Sequence, residues 1–437
     1  MSDLDLLRLG GVMGGGGAGF PLWKKLSTPA DTLLINGAEC EPLLKSDQYL
    51  MLRYAPDLVE AASRLAGIVG AKEAVICLKD HYGPQIAALS AALKEKAPAP
   101  PVRLHLLPTV YPIGDEQALL HSATGRTVAP GALPGSVGCT VVSVSTALNA
   151  LRALSGKPVT TRFVTVAGEV RKPGVFKAPV GTPVSLLLQA AGGPTVPDHR
   201  VILGGPMMGP LMREDDTAVT KTLGGVLVLP SNHTLVRHAE LDMDKARVRA
   251  RSACIQCRTC TDLCPHHLLG HPIYPHLTMR AFAAGNKLEP SAMLCMECGV
   301  CELYACPMGL NPRRIQQAQK AALRAAGEKP SFTLGEAPAL AEYHQAPSGR
   351  VLARIDAARY DIPVPEAAVE VTTPVAVIPM KQHIGASAVP CVAVGDRVQR
   401  GDTVGRMAEG ALGADVHAGI CGVVERVEDG LVVIGSA

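Results

Sequence analysis

The chain has 437 residues, 47% hydrophobic and 19% charged, a balance that supports packed cores, argues against general disorder and implies about three or four units of ~100–200 residues each. Its 42 basic and 39 acidic residues leave a net charge of +3, and aromatics are 3% of the chain, so neither a long-range field nor a stacking surface points to nucleic acid. No run of about 18 or more apolar residues marks a membrane span, and the start MSDLDLLRLG lacks the basic-then-apolar pattern of a secretory signal, so a soluble, cytoplasmic protein is expected.

In chain order, GVMGGGGAGFPLWKK (11–25) contains G-x-G-x-x-G through Gly14, Gly16 and Gly19, with Glu39 following at the spacing of a dinucleotide fingerprint. The flanking LDLLRLGGVM makes a poor buried strand and no βαβ unit surrounds it, so the residues alone read as a flexible turn. Further on, PDLVEAASRLAGIVGA and YGPQIAALSAALKEK carry apolar residues at helical spacing, AVICL and VRLHLL read as strands, and TVVSVSTALNALRAL runs from strand into helix. This alternation predicts an α/β unit with a largely parallel sheet over 1–155. Short β-rich pieces with Gly and Pro turns follow, carrying one helix at PVSLLLQAAGG, and predict a small α+β unit over 156–232. Residues 245–325 hold two cysteine runs and helical stretches, the last being PRRIQQAQKAALRAAG with Pro312 early and Gly327 past its end. The Pro-, Ala- and Glu-rich stretch 328–368 reads as a linker with some local structure. Residues 369–437 are Val-rich strands punctuated by Gly-Asp, which suggests a small β barrel or sandwich.

Eight of the thirteen cysteines fall in two compact runs. CIQCRTCTDLCP places Cys254, Cys257, Cys260 and Cys264 before Pro265, and CMECGVCELYACP places Cys295, Cys298, Cys301 and Cys306 before Pro307. Three thiols on a C-x2-C-x2-C loop with a fourth from a distant run form the two-cluster ferredoxin arrangement. In that arrangement Cys254, Cys257, Cys260 and Cys306 hold one [4Fe-4S] cluster, and Cys295, Cys298, Cys301 and Cys264 hold the other. Two zinc sites are the competing reading, but zinc gives no reason for the third closely spaced cysteine or the Cys-Pro ending of both runs. The second run has four residues between its last two cysteines where the usual run has three, which leaves a slightly longer loop. With all eight thiols allocated, His266, His267, His271 and His276 read as ordinary loop residues, and Trp23 as packing. Cys40, Cys77, Cys139, Cys391 and Cys421 read as small buried hydrophobes.

GGGGAGFPLWKK, NGAECEP (36–42) and YPIGDEQAL (111–119) resemble three consecutive signatures of the flavin- and NADH-binding subunit of respiratory complex I and of the RnfC component of the Rnf electron-transport complex. GGPMMG (204–209) and the two cysteine runs resemble the Rnf component as well. The order of parts, with the barrel-like segment last, most resembles the cobalamin reductases of propanediol-utilisation microcompartments. The resemblance implies a multidomain α/β and α+β chain: an FMN/NADH-binding α/β domain, a β-grasp (SLBB-like) domain, a helical two-[4Fe-4S] ferredoxin-type domain and a C-terminal barrel-sandwich-hybrid domain. It implies that Gly15, Gly16, Gly17 and Gly19 let backbone approach FMN, that Phe20 lies on the nicotinamide side and that Lys25 reaches the flavin. Asn36, Glu39 and Glu41 would line the pocket, together with Gly114, Asp115 and Glu116, where Asp115 shortens the family's Gly-Glu-Glu. Relatives carry paired asparagines where this chain has VSVST, so Ser143 and Val144 would offer mainly backbone and one hydroxyl.

The resemblance further implies an NADH-dependent oxidoreductase passing electrons from NADH through FMN and two [4Fe-4S] clusters to cobalamin. An adenosyltransferase and microcompartment shell proteins are the implied partners, inside a bacterial microcompartment. Two other readings stand beside it: a peripheral Rnf-type subunit of a membrane complex, and a non-catalytic iron-sulfur electron-wire module. The corrinoid motif D-x-H-x-x-G is absent, since ADVHAGI has Ile420 in place of its glycine. Lys381 precedes the main run of strands, so the last unit reads as an unmodified relative of the lipoyl and biotin carriers.

Overall fold

The computed structural model describes residues 1–15, 17–212, 218–285, 287–428 and 430–436. Helix α1 (Asp3–Leu9) starts behind Ser2, whose hydroxyl accepts the Asp5 N–H while the Asp5 carboxylate accepts the Ser2 N–H, a reciprocal cap. After α2 (Leu22–Leu26) come β1 (Thr32–Gly37), α3 (Ser46–Arg53), α4 (Ala55–Val69), β2 (Glu73–Lys79), α5 (Gly83–Lys96), β3 (Val102–Leu107), β4 (Val110–Tyr111), α6 (Glu116–Thr124), β5 (Cys139–Ser143) and α7 (Val144–Leu154). Four strands form an all-parallel sheet in the order β3-β2-β1-β5. Leu33, Leu34 and Ile35 on β1 and Val75, Ile76 and Leu78 on β2 are all fully buried, as a sheet covered on both faces requires. Because β2 and β3 build out on one side of β1 and β5 on the other, the strand order reverses between β1 and β5. In open α/β sheets a ligand crevice lies at the carboxyl ends of the strands at such a point.

The next sheet is mixed. It contains β6 (Thr161–Gly168), β7 (Gly174–Pro179), β8 (His199–Leu203) and β9 (Gly225–Pro230), with antiparallel β6–β7 and β8–β9 pairs joined by a parallel β6–β9 pair. The helix α8 (Val184–Ala190) covers it, and Val184 and Leu187 pack with Val164, Phe176 and Val226 in one core. The cysteine runs sit among short helices: α9 (Thr234–Glu240), α10 (Met243–Ala253), α11 (Thr259–Asp262), α12 (Pro265–Leu268), α13 (Pro275–Ala283) and α14 (Pro312–Ala325). Pro312 opens α14, where its missing N–H costs nothing, and Gly327 at φ 70° follows its end.

The stretch read as a linker is packed in its second half. Strand β10 (Ala346–Pro347) pairs with β4, and α15 (Ser348–Arg354) follows it. Val351, Ile355 and Tyr360 join a core with Tyr111, Leu227 and Cys298. A few apolar anchors within a polar, Pro-rich composition are enough to fix the segment. Strand β11 (Val369–Glu370) then adds to the mixed sheet beside β7.

The last unit is a sandwich of two antiparallel sheets. One has the order β12 (Val375–Pro379), β18 (Leu431–Gly435), β17 (Gly422–Glu428), β14 (Arg397–Val398); the other is β13 (Val389–Pro390), β15 (Thr403–Arg406), β16 (Val416–His417). Ile378, Met380, Val404, Val416, Val432 and Ile434 fill the space between them. Lys381 lies just after β12 and not on a hairpin tip.

Candidate functional site

Each cysteine run folds into a tight loop with left-handed residues at matching places: Gln256 and Arg258 in the first, Glu297 and Gly299 in the second. Such turns aim backbone N–H groups inward. The Glu297 N–H donates to Cys295 Sγ at 3.3 Å and the Leu310 N–H to Cys306 Sγ at 3.3 Å, while the Gln256 amide donates to Cys254 Sγ at 3.0 Å. The fourth thiols exchange between the runs. Burial pushes the Cys260 thiol up to about 12, and the charges of Cys306, Cys257 and Cys254 add to this. Cys264, also pushed up to about 12 by burial, has Cys295 as a neighbour, and Cys298 and Cys301 both feel Cys264 and Cys295.

Cys264, Cys295, Cys298 and Cys301 line one cavity together with Pro265, His266 and Arg313; it spans about 330 Å³, its open mouth included. Among the described residues no three His, Cys, Asp or Glu side chains form a group that could hold a single metal ion. A set of four thiols around a space, with N–H groups turned toward the sulfurs, fits the donor chemistry of an iron-sulfur cube. The extra residue of the second run is taken up by a π-helical turn, Val300–Tyr304, closed by the Ala305 N–H donating to the Val300 carbonyl at 2.8 Å. The matching place in the first run is the ordinary turn of α11, so a one-residue insertion is absorbed locally.

The second set of residues gathers at the carboxyl ends of β1 and β5. The glycine loop is closed at its base by the Gly14 N–H donating to the Phe20 carbonyl and the Leu22 N–H donating to the Val12 carbonyl. The Gly15 N–H donates to Thr146 Oγ1 at 2.7 Å, and Thr146 Oγ1 bonds Ser143 Oγ at 2.7 Å. A Cβ on Gly15 would collide with Ser145 and Arg162, and one on Gly19 with Thr222 and His383. Gly17, at φ 67°, has open space around it among the described residues. Gly16 lies outside the described residues. Lys25 pairs with Glu116 and donates to the Val141 carbonyl of β5 at 2.8 Å. Asn36, next to last in β1, donates to the Gly114 carbonyl at 2.8 Å.

Three placements differ from a simple pocket lining. The Glu39 carboxylate accepts the Ser46 hydroxyl and the N–H groups of Asp47 and Gln48, so it caps α3. Val144 is fully buried at the start of α7 and contributes packing. Asp115 caps α6 by accepting the Gln117 and Ala118 N–H groups at 3.1 Å, and pairs with His266 Nε2 at 3.2 Å. Burial raises the Asp115 carboxyl, but the His266 imidazole and the two cap bonds outweigh it and hold it below the usual range.

The two groups of residues touch at points the sequence did not reveal. His266, read as a loop residue, lies between Asp115 and the Leu294 carbonyl and lines the thiol cavity. The Tyr111 hydroxyl donates to the Cys298 carbonyl at 2.6 Å. Glu41 Oε2 accepts the Met207 N–H of the GGPMMG turn at 3.0 Å, and Arg313 donates to the Met207 carbonyl from the thiol side. A signal existed for the first contact only, in a histidine two residues after Cys264.

Burial raises Glu41 to about 7, the Met207 N–H and Arg313 opposing it. The folded state therefore binds more protons than the unfolded state between pH 4.5 and about 7, and stability from this group falls as pH rises through that window. We expect Glu41→Gln to match the wild type in thermal midpoint near pH 4.5 and to exceed it progressively up to pH 7, with no further divergence above. Parallel curves across this range would rule out the buried carboxyl as the cause.

Four family models match the chain: the Nuo51 FMN-binding domain over residues 7–152, the SLBB domain over 163–211, the 4Fe-4S dicluster domain over 253–311 and the RnfC barrel sandwich hybrid domain over 365–437. Cobalamin reductase PduS of Salmonella typhimurium (strain LT2) is 44% identical over 435 residues, covering 98% of this chain and 95% of that protein. The PduS of Citrobacter freundii is 43% identical over 430 residues, 97% of this chain and 94% of that protein. A component of the ion-translocating oxidoreductase complex of Citrobacter koseri is 38% identical over 269 residues, 60% of this chain and 36% of that protein. In fold, the chain resembles an NAD+-reducing [NiFe]-hydrogenase in the air-oxidized state, with a TM-score of 0.51 and 22% identity over 83% of this chain and 67% of that one. Fold and site define an oxidoreductase of the flavin and iron-sulfur electron-transfer class. Within that class, the chain belongs to the PduS cobalamin reductase family.

Proposed function

We propose that the chain is an NADH-dependent cobalamin reductase that holds FMN at the β1/β5 crevice and two [4Fe-4S] clusters on its exchanged cysteine sets. The observation that carries this reading is the direct contact between the crevice residues and the inner thiol set, through Asp115–His266 and Tyr111–Cys298. FMN, when bound, accepts the two electrons of a hydride and yields them one at a time, which the pairing of NADH with one-electron centres demands.

The residues divide that work. Gly17 leaves space for a ligand at the loop tip, while Lys25 and Asn36 fix the crevice floor by tying α2 to β5 and β1 to the Gly114 turn. The inner set Cys264, Cys295, Cys298 and Cys301 is buried beside the crevice and would hold the cluster nearer the flavin, where it would supply a one-electron centre. The outer set Cys254, Cys257, Cys260 and Cys306 would hold the second cluster, at a surface where Ile255 is 63% exposed. The unit spanning 156–232 acts as the spacer that braces both, its Met207 turn held by Glu41 on one side and Arg313 on the other.

Cobalamin as acceptor comes from the family, as do an adenosyltransferase partner and a place inside a bacterial microcompartment. Among the described residues no helix is long and apolar enough to cross a membrane. The protein purified without oxygen is expected to carry FMN and about eight irons per chain, and to reduce cob(III)alamin with NADH. A preparation with neither acid-labile sulfide nor extractable flavin would falsify the reading. One that reduces a viologen but no cobalamin would favour an Rnf-like electron-transfer role.

A further inference from the structure

Three units meet beside the glycine loop. From the last unit, the Ile384 N–H donates to the Ala18 carbonyl at 3.0 Å, Gly413 accepts the Trp23 indole N–H at 2.7 Å, and the Asp415 N–H reaches the Arg8 carbonyl at 3.3 Å. From the mixed-sheet unit, Lys221 enters the same junction. Its amine end is buried, and Nζ donates to the Gly11 carbonyl at 3.0 Å and to the Asp415 carbonyl at 2.7 Å, while its backbone N–H donates to Gln382 Oε1 at 2.9 Å. Gly11 and Gly19, on either side of the loop tip, both have positive φ and no room for a Cβ: Lys221 and Asp415 crowd the first, Thr222 and His383 the second. The loop proposed to receive FMN is thus clasped between residues 220–222 and 382–384.

We propose that Lys221 is a positioning residue that docks the C-terminal barrel-sandwich unit onto the glycine loop and thereby holds that loop in its flavin-receiving shape. This inference rests on the flavin reading above for its consequence, though not for the docking itself. With its long aliphatic stem and two donated hydrogen bonds, Lys221 ties carbonyls of two different units together at one nitrogen. The sandwich unit is then a wall of the flavin loop, in addition to a module at the chain's end.

The protonation chemistry agrees. Burial lowers Lys221 to about 7, with Asp415 opposing, and the two N–H bonds of a neutral amine match the two carbonyls. The docked state therefore binds fewer protons than the undocked one between pH 7 and the ordinary lysine value of 10.5, so docking strengthens as pH rises through that window and is flat below it. The histidines facing Lys221 add no slope there. Burial lowers His417 to about 3 and also lowers His383, so both are neutral throughout. The Asp415 carboxylate accepts the Met407 N–H, and on α1 the charged residue at the contact is Arg8.

Trp23 is the chain's single tryptophan and sits in this junction, so its emission reports docking without a label. In the full chain with its cofactors, Lys221→Met keeps the apolar stem and removes the donors. We expect its Trp23 emission to shift to the red and become more quenchable by acrylamide, and FMN to bind about tenfold more weakly, the change one ordinary buried hydrogen bond represents. The difference from wild type should widen from pH 7 to pH 9. Gln382→Ala, which removes the bond to the Lys221 backbone and one to the Pro379 carbonyl inside its own unit, should move both signals in the same direction by less, and it serves if Lys221→Met does not fold. An unchanged Trp23 signal in both variants overturns the docking role. A shifted Trp23 signal with wild-type FMN affinity overturns its link to the flavin loop. Should the wild type itself bind no FMN, the flavin reading fails while Trp23 still decides the docking.

Discussion

Cys295→Ala protein prepared without oxygen should hold about half the wild-type iron and sulfide, since one of two four-cysteine sites loses a ligand, and its NADH-driven cobalamin reduction should fall to background. Its oxidation of NADH by ferricyanide, which draws on the flavin directly, should persist. Cys254→Ala should lose a similar share of iron, yet its remaining centre should still be reduced by NADH, because the inner set Cys264, Cys295, Cys298 and Cys301 is the one in contact with Tyr111 and His266. The contrast between the two variants tests the order of the sets as well as their membership. Unchanged iron in both would remove the ligand assignment; NADH-reducible iron surviving only in Cys295→Ala would reverse the order.

The second large effect belongs to Gly17. At φ 67° with open space beyond its Cα, it can take a side chain only at the conformational cost of a left-handed L-residue, and that side chain would stand where the ligand approaches. We expect Gly17→Val to weaken FMN binding by about two orders of magnitude or more, measured by quenching of flavin fluorescence on titration. Gly156→Val is the matched control. Gly156 has φ 77° and equally open surroundings, so it carries the same backbone strain away from the crevice and should leave FMN affinity as it was. Equal losses in both would mean that strain alone explains the effect.

Much of this architecture could be read from residue patterns because local rules governed it. Strand β2 and helix α4 follow directly from AVICL and PDLVEAASRLAGIVGA, where apolar spacing and full burial coincide. The two cysteine runs announced their chemistry by spacing. What stayed hidden was set by contacts distant in sequence. Nothing around Glu39 indicates that its carboxylate would turn back to cap α3, and although a histidine two residues after Cys264 hints at a role for His266, nothing names Asp115, 151 residues away, as its partner. The stretch 328–368 looked like a tether because its anchors are few, yet Val351, Ile355 and Tyr360 are buried. Lys221 gave no signal at all, being an ordinary cationic residue in a Thr-rich turn until two other units close over it.

The π-helical turn at Val300–Tyr304 gives the repeated cysteine motif a direction. Within it Glu302 is buried and its carboxylate meets His238, Asn311 and the Arg314 N–H, whereas the matching Thr261 of the first run, also buried, bonds His276 through a neutral hydroxyl. Two runs alike in the spacing of their first three cysteines thereby become unlike electrostatic settings, one wedged into the body and one riding at its rim. The same thiols thus sit in surroundings of unequal charge, set by the residue that follows the third cysteine of each run.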